Sequence, residues 1–567
     1  MRKTLAVLIG LAAGASSAAG RHAATPPAVP PPRLAVVIAV DGLSWDRLQS
    51  WRPWFTSGLK RLLDEGAVAT ECRYGHLNTE TGPGHASLAT GAPPRVHGIA
   101  LNQWYVPSID GASMTTIYCA SQPLPGEPDS SSKTILGPGR LRVPTLGDRL
   151  VTRDPRAKVV AIANKDRSAI FLAGRDRRHA AFWYASKMGT YVTSDVYDAT
   201  SPAGAAAAAV VARFNADEAG ERLASRLGTA WSRLAVPDPA PGVGFESGLA
   251  AYQDTTIGET FPHDLTQSKR PFPSALLWTP FADRLLSDLA LELLADDALA
   301  LGRDDVPDLL EVSFAASDYV SHFYGPESAE ELEILRALDL EIGRLLDDVT
   351  ARFGKGNVVV TLSADHGFMP LPEATERHDP KGGRKRVRDV TIAKALNEAV
   401  DAELKRPAGA TPLVYRLEGC SLWLDRAALV AKGGASAKRV LAIVKRELAT
   451  TWKDIVLQTF VVDGTFRERA TDDIEMRAWN SRVPGRSGDL FVVPRYGVLV
   501  DPYDGKGSSH GTPWEYDTHV PMILWGGRIP PRVITAPSTP YDLAPTLASW
   551  LGVDLPDATG NPLDVRK

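Results

Sequence analysis

Five short apolar runs stand out along the chain, over residues 34–40, 159–163, 309–314, 358–362 and 520–525. They are rich in Val, Leu and Ile and, apart from Glu311 and Ser313 in the third run, do not alternate with polar residues. A strand covered by helices on both faces loses the two-residue period, so such runs predict buried strands of a parallel sheet. Between the third and fourth runs, residues 330–353 carry apolar side chains at Ile334, Leu335, Leu338, Ile342, Leu345, Leu346 and Val349. That spacing predicts a long amphipathic helix. Alternating strands and helices predict an α/β fold, a largely parallel central sheet sandwiched by helices. Two stretches break the rhythm. Residues 168–300 combine an Ala-rich helical part (203–212) with a Pro/Gly-rich part near 236–244, and residues 370–505 mix short strands with helices. Both are expected to be insertions forming a cap over the sheet. No internal repeat is visible.

Size and composition change this picture little. The 567 residues exceed one ordinary core, as an enlarged α/β domain with insertions requires. Apolar content of 44% and charged content of 23% belong to a globular chain. A net charge of −4 supplies no long-range attraction for nucleic acid or an anionic membrane, so any anion must be bound locally. Residues 1–20 read as a cleaved export signal: Arg2 and Lys3, an apolar stretch over 5–13, then small residues over 15–20. That stretch is too short to span a bilayer, and no later run approaches the length needed. A Pro-rich spacer over 21–33 precedes a catalytic domain expected over 34–567. Export places the chain in an oxidising compartment. With only Cys72, Cys119 and Cys420, at most one disulfide forms, and any zinc would be held by His and Asp rather than thiolates.

The positions of the acids are the informative feature. Asp41, Asp318 and Asp365 each follow an apolar run, in RLAVVIAVDG, DLLEVSFAASD and NVVVTLSADHG, and His366 follows Asp365 directly. In a parallel sheet all strand C-termini open on one edge, so these residues converge from distant parts of the chain. Crowded carboxylates repel unless cations neutralise them. His322 stands four residues after Asp318, on the same face of any helix that starts there, and His510 lies in the loop GKGSSHGTP. Three Asp and three His supply two sites of three ligands with open coordination positions, and mixed N/O ligation favours zinc. Taken singly, each residue has a bland alternative: a helix cap, a surface pair, a loop histidine. The coincidence carries the assignment. His85 and His519 are expected to hydrogen-bond the backbone around the site, and residues 539–553 to form a packing helix.

The segment TETGPGHASLATG (79–91) reads as a loop entering a helix near Pro83, which puts Thr81 at or just before the N-cap. There the backbone N–H groups favour an anion. Thr81 could simply cap that helix; with metals beside it, its hydroxyl becomes a nucleophile.

The ordered set Asp41, Thr81, Asn102 (in HGIALNQWY), Asp318-x-x-x-His322, Asp365-His366 and His510 resembles the alkaline phosphatase superfamily, over nearly the whole chain after residue 33. The resemblance implies two zinc ions per chain. One would be held by Asp41, Asp365 and His366 beside a Thr81 nucleophile, the other by Asp318, His322 and His510 at the leaving oxygen. Lys165 and Arg167, in NKDRSAIFLAG, are similar to the Lys-x-Arg pair of the Thr-type, phosphate-irrepressible bacterial enzymes. With Asn102 they would bind the phosphoryl oxygens, although a solvated helix start remains the alternative for the pair. The function implied is an exported phosphomonoesterase working through a phosphothreonine. It would act on small phosphate monoesters as a monomer, with no nucleic acid partner and no membrane span. A phosphodiesterase or nucleotide pyrophosphatase on the same metal centre, and a non-catalytic metal- or phosphate-binding protein, are the competing readings.

Overall fold

The run at 34–40 forms the strand Leu34–Val40, buried at every position, at the centre of a nine-stranded sheet. The structure is a computed structural model that describes residues 30–565 apart from 124–134, 235–252, 374–384, 432–434, 465 and 467–472. The leader over 1–20, most of the 21–33 spacer and the Pro/Gly-rich part near 236–244 lie outside the described residues. The strands Ala180–Ala185, Val159–Ala163, Asp308–Phe314, Leu34–Val40 and Val358–Ser363 are neighbours in that order and run parallel. Each core strand feeds both faces of the sheet. Along Val159–Ala163, Val160 and Ile162 join the leucines of the helix Pro280–Ala295, while Ala161 and Ala163 pack with the helix Asp166–Ala173. Two-sided burial is why alternation is missing from the sequence.

The fifth run differs from its expectation. It forms Met522–Gly526, which pairs antiparallel with Val358–Ser363 and continues antiparallel into Ala67–Ala69. A strand buried on both faces has the same apolar pattern in either direction, so its sequence carries no sign of polarity.

The predicted long helix is Ala329–Phe353, packed on the helices Gly58–Glu65 and Pro280–Ala295. The stretch 168–300 is not simply a cap. Ala180–Ala185 and Thr190–Val192 extend the central sheet, and Pro202–Asp217 and Pro280–Ala295 flank it. The second stretch, 370–505, builds a separate four-stranded sheet of Val414–Glu418, Ser421–Leu424, Leu490–Pro494 and Val456–Val461. Here the two-residue period sorts the faces. Leu490 and Val492 pack under the helices Asp389–Leu404 and Ala437–Thr450, whereas Phe491 and Val493 pack with Leu77, four residues before Thr81. This lobe therefore rests on the segment leading to the candidate nucleophile. Asn78 fixes the contact: its Oδ1 accepts from the Cys420 N–H at 2.9 Å and its Nδ2 donates to Ser421 Oγ at 3.2 Å. The three cysteines are buried free thiols. No helix among the described residues is long and apolar enough to cross a membrane.

Candidate metal centre

Register brings the acids together. Val40 lies opposite Phe314 and Ala39 opposite Ser363, so three parallel strands end level and the chain turns out beside its neighbours. Gly42 makes the turn tight. Its φ of +79° is a left-handed conformation, and a Cβ there would stand 3.1 Å from the Asp318 Cα. Its N–H instead donates to Asp365 Oδ1 at 3.2 Å. Asp318 and His322 both sit on the helix Ala316–Tyr324, at the i, i+4 spacing that presents them on one face.

The six residues sort into two triads, Asp41/Asp365/His366 and Asp318/His322/His510, with the ligand atoms of each within 4.8 Å of one another. Within them, His366 Nε2 is 3.4 Å from both Asp41 Oδ1 and Asp365 Oδ2. His322 Nε2 and His510 Nε2 stand 3.4 and 3.5 Å from Asp318 Oδ1. These separations are long for hydrogen bonds. Ligand atoms about 2.1 Å from one tetrahedral zinc ion lie about 3.4 Å apart, so the spacing fits a shared cation. Asp41 Oδ1 and His366 Nε2 are buried and make no hydrogen bond among the described residues.

The tautomers agree. His322 Nδ1 donates to the Ser508 carbonyl at 2.9 Å, His366 Nδ1 to the Gly367 carbonyl at 2.9 Å and His510 Nδ1 to the Thr79 carbonyl at 2.7 Å. A carbonyl can only accept, so each Nε2 keeps its lone pair and faces the acids. Burial, opposed in part by Asp365, lowers the pKa of His366, and burial with the nearby His366 lowers that of His510 well below the ordinary value. Both imidazoles are thus neutral and able to ligate. They belong to different triads and stack with centroids 3.6 Å apart, which makes the two sites adjacent.

The acids respond to the same crowding in opposite ways. Burial and the charge of Asp365 push the Asp41 pKa well above the usual carboxylate range despite Lys165. Burial also works to raise Asp318, but Lys165 and His322 outweigh it and hold this carboxyl well below that range. Lys165 Nζ lies 2.7 Å from Asp41 Oδ2 and 2.6 Å from Asp318 Oδ2, so its ammonium bridges the two triads.

Thr81 opens the helix Thr81–Thr90, two residues earlier than the sequence suggested, and Glu80 rather than Thr81 is the N-cap residue. Pro83 does lie in the first turn, but the helical backbone begins ahead of it. The Thr81 Oγ1 accepts from Arg167 Nη2 at 3.2 Å and lies 3.5 Å from Lys165 Nζ. Asn102 Oδ1 accepts from the Gly82 N–H at 2.7 Å, which leaves its amide nitrogen as the remaining donor. Lys165 is buried at the N-cap of Asp166–Ala173, not a solvated helix start. His85 bonds the Thr81 carbonyl (2.9 Å) and Ser313 Oγ (2.8 Å), and His519 the Thr70 carbonyl (2.8 Å), as expected for framework histidines.

Close packing ties the helix Thr81–Thr90 to the first triad. A Cβ on Gly84 would fall 2.6 Å from the Asp365 Cβ and would also strike the Asp365 carbonyl oxygen. Overpacking of this kind costs about 1–3 kcal/mol. Gly84→Ala is therefore predicted to weaken divalent-metal binding at the Asp41/Asp365/His366 triad by roughly tenfold or more, in line with that cost. Equilibrium dialysis of the purified variant checks this, and an affinity equal to that of the natural chain would show the contact to be slack.

Three supporting acids escaped the sequence reading. Asp283 Oδ1 accepts from Asn164 Nδ2 (2.9 Å) and from the N–H groups of Ala315 and Ala316 (both 3.3 Å). It thereby links the residue before Lys165 to the start of the helix carrying Asp318 and His322. Glu331 accepts from Ser317 Oγ at 2.6 Å, and Glu80 Oε2 accepts from the Asn102 N–H at 2.7 Å. Burial raises all three carboxyls, to about 7 for Asp283, about 8 for Glu331 and, with the charge of Glu418, about 7 for Glu80. Glu80, beside Thr81, was open to discovery from its position; Asp283 and Glu331 sit in ordinary amphipathic helices and leave no local signal.

Known proteins resemble the chain along almost its whole length. The family model described as type I phosphodiesterase / nucleotide pyrophosphatase matches residues 35–520. The chain is 29% identical over 549 residues to alkaline phosphatase PafA of Elizabethkingia meningoseptica, covering 94% of each protein. It is 28% identical over 551 residues to alkaline phosphatase PhoK of a Sphingomonas species, covering 93% of this chain and 90% of that one. The crystal structure of wild-type alkaline phosphatase PafA superimposes with a TM-score of 0.79 at 28% identity, over 95% of this chain and 99% of that one.

Proposed function

Because the chain belongs to the type I phosphodiesterase / nucleotide pyrophosphatase family of the alkaline phosphatase superfamily, we propose that it is an exported, two-zinc phosphomonoesterase using Thr81 as nucleophile. That it is a phosphatase enzyme follows from relatives named alkaline phosphatase along almost its whole length. It acts on monoesters in particular, works in the periplasm or outside the cell once residues 1–20 are removed, and passes through a phosphothreonine intermediate. The substrate is a small molecule, the working unit is a monomer, and no nucleic acid is involved.

The observation that carries the word monoester is the pair Lys165 and Arg167, both within 3.5 Å of Thr81 Oγ1. A monoester dianion spreads charge over three nonbridging oxygens. Arg167 can grip two in a fork, and Lys165 adds a point charge. A diester carries one charge fewer and a second substituent where these cations stand. Burial works to lower the Lys165 pKa, but Asp318 and Asp41 more than offset it and raise it. Lys165 therefore stays an ammonium and acts as a clamp, not as a base. Asn102 is positioned by Gly82 to donate to a third oxygen.

Asp41, Asp365 and His366 would hold one zinc ion, and Asp318, His322 and His510 the other. When bound, zinc supplies Lewis acidity that lowers the pKa of a nearby hydroxyl and stabilises charge on a departing oxygen. Thr81 Oγ loses its proton to solvent and forms a bond to phosphorus as the ester P–O bond breaks, and the alcohol departs after taking a proton. Water then attacks the phosphothreonine, which regenerates the Thr81 hydroxyl and releases inorganic phosphate. Throughout, Lys165, Arg167 and Asn102 hold the nonbridging oxygens.

The family's name favours a second reading, hydrolysis of diesters. The two are separated by kcat/KM for an aryl monoester and its methyl diester, in the natural chain and with Lys165→Ala and Arg167→Ala combined. Loss of the clamp should lower monoester turnover about a hundredfold or more, as expected for charge-assisted contacts strengthened in the transition state, and spare the diester. An equal fall for both substrates would remove the case for monoesters.

A further inference from the structure

The helix Ala316–Tyr324 does more than present Asp318 and His322. Tyr319 and Phe323 each follow one of these ligands, so the same i, i+4 spacing gives the helix a second, aromatic face beside the metal face. Trp278, ending the turn Leu276–Trp278, completes this face: its ring stacks on Phe323 with centroids 4.9 Å apart at 28° and meets the edge of Tyr319 at 5.0 Å. The wall is continuous with the phosphate clamp, because Lys165 Nζ lies 5.1 Å from the Tyr319 ring centroid. On its far side the Arg270 guanidinium lies 4.2 Å from the centroid of Trp278 and 5.7 Å from that of Phe323.

A cavity of about 280 Å³ opens between this wall and the clamp, with Lys165, Arg167, Asp318 and His322 on the polar side and Tyr503 among the lining residues. Tyr503 is 46% exposed, which puts it at the mouth. Neither Thr81 nor any member of the Asp41/Asp365/His366 triad lines the cavity. Thr81 instead belongs to the Asp365 side, through Gly84 and through His85, which lies 3.3 Å from Asp365 Oδ2. In-line displacement sends the leaving group away from the nucleophile, and hence toward Asp318 and His322, where the cavity lies.

Resting on the phosphatase reading above, the geometry points to this cavity as the leaving-group subsite and to monoesters of alcohols bearing a planar aromatic ring as its substrate class, with Trp278, Tyr319 and Phe323 as the residues that select them. The volume is just below that of ordinary small-molecule pockets, of about 300–1,000 Å³. It suits a phosphoryl group with one ring system rather than a long chain. A ring placed against this wall gains aromatic contact and buried area, which together amount to roughly tenfold or more in affinity for the transition state.

The test compares phenethyl phosphate with methyl phosphate. Both release primary alkoxides of similar basicity, so a difference in kcat/KM reports recognition of the ring rather than leaving-group chemistry. The natural chain is expected to prefer phenethyl phosphate by roughly tenfold, and Phe323→Leu and Trp278→Leu are each expected to reduce that ratio at least about threefold. Phe323 is only partly buried, so Phe323→Leu decides the matter if Trp278→Leu fails to fold. A ratio near one in the natural chain, or a preference that survives Phe323→Leu, overturns the subsite while leaving the phosphatase reading intact. Absence of turnover for every monoester, methyl phosphate included, overturns the phosphatase reading and the subsite with it.

Discussion

Dialysis against a strong chelator is expected to lower phosphate-monoester turnover by at least about a thousandfold, the scale on which electrostatic stabilisation of a transition state works. Addition of two zinc ions per chain should restore it. The physical basis is the donor set. Each triad gathers carboxylate oxygens and histidine Nε2 lone pairs at 3.4–3.5 Å, too far apart to satisfy one another and well placed for a shared cation. Each Nδ1 is committed to a backbone carbonyl, so the three imidazoles cannot turn their lone pairs elsewhere without breaking those bonds. Removal of the metals also removes their linkage to folding. A site occupied at a thousand times its dissociation constant contributes about 4 kcal/mol of stability, so Tm should fall together with activity. Calorimetry and metal analysis on the dialysed protein check both. Turnover that resists chelation, in protein shown to be metal-free, would refute the two-metal reading.

The second large effect belongs to Thr81. Thr81→Ala is expected to reduce monoester turnover about ten-thousandfold, as loss of a nucleophile does in enzymes that form covalent intermediates. Thr81→Ser keeps the hydroxyl and should retain most of the rate. Inorganic phosphate should still inhibit the alanine variant within a few-fold of its usual strength, because Lys165, Arg167 and Asn102 all remain. Rapid acid quenching of the natural chain with labelled substrate should leave phosphate on Thr81. The rival role, a helix cap, predicts a different outcome: a loss of about 0.5–2 kcal/mol of stability with turnover little changed. The structure already weakens that role, since Thr81 is the first helical residue and Glu80 occupies the N-cap. A turnover number for Thr81→Ala equal to that of the natural chain would end the nucleophile assignment while leaving the fold and the family untouched.

Much of the site was legible in the sequence because it is built on strand ends. Asp41, Asp318 and Asp365-His366 each follow a largely apolar run, and a run buried on both faces announces both its strand and the place where it stops. The His322 spacing and the Lys165-x-Arg167 pair are local as well, and the helix Ala316–Tyr324 and the strand Val159–Ala163 confirm the elements that carry them. Less legible were features that depend on a partner. Met522–Gly526 runs antiparallel although its composition matches that of its parallel neighbours. Residues 180–192 looked like part of a cap, yet they widen the central sheet, because a strand's partner is chosen by register and packing rather than by its own sequence. Asp283 is one polar position in an amphipathic helix until the fold sets it against Asn164 and the start of the ligand helix.

By itself the sequence determined which segments are apolar enough to be buried, where the acids and imidazoles fall relative to them, and that the chain is an α/β protein; the chemistry of a phosphatase came from the family its motifs resemble. Periodicity encodes which positions must be buried, because hydrophobicity is a local property of each residue. The division of six candidate ligands into two adjacent triads was implied only by resemblance; their proximity was decided by the tertiary structure alone. So were the bridging of both triads by Lys165, the contact of Gly84 with Asp365 and the aromatic wall of Trp278, Tyr319 and Phe323. Each of these depends on distances of a few ångströms between residues tens to hundreds of positions apart. Strand register and helix packing set such distances, and no local pattern records them.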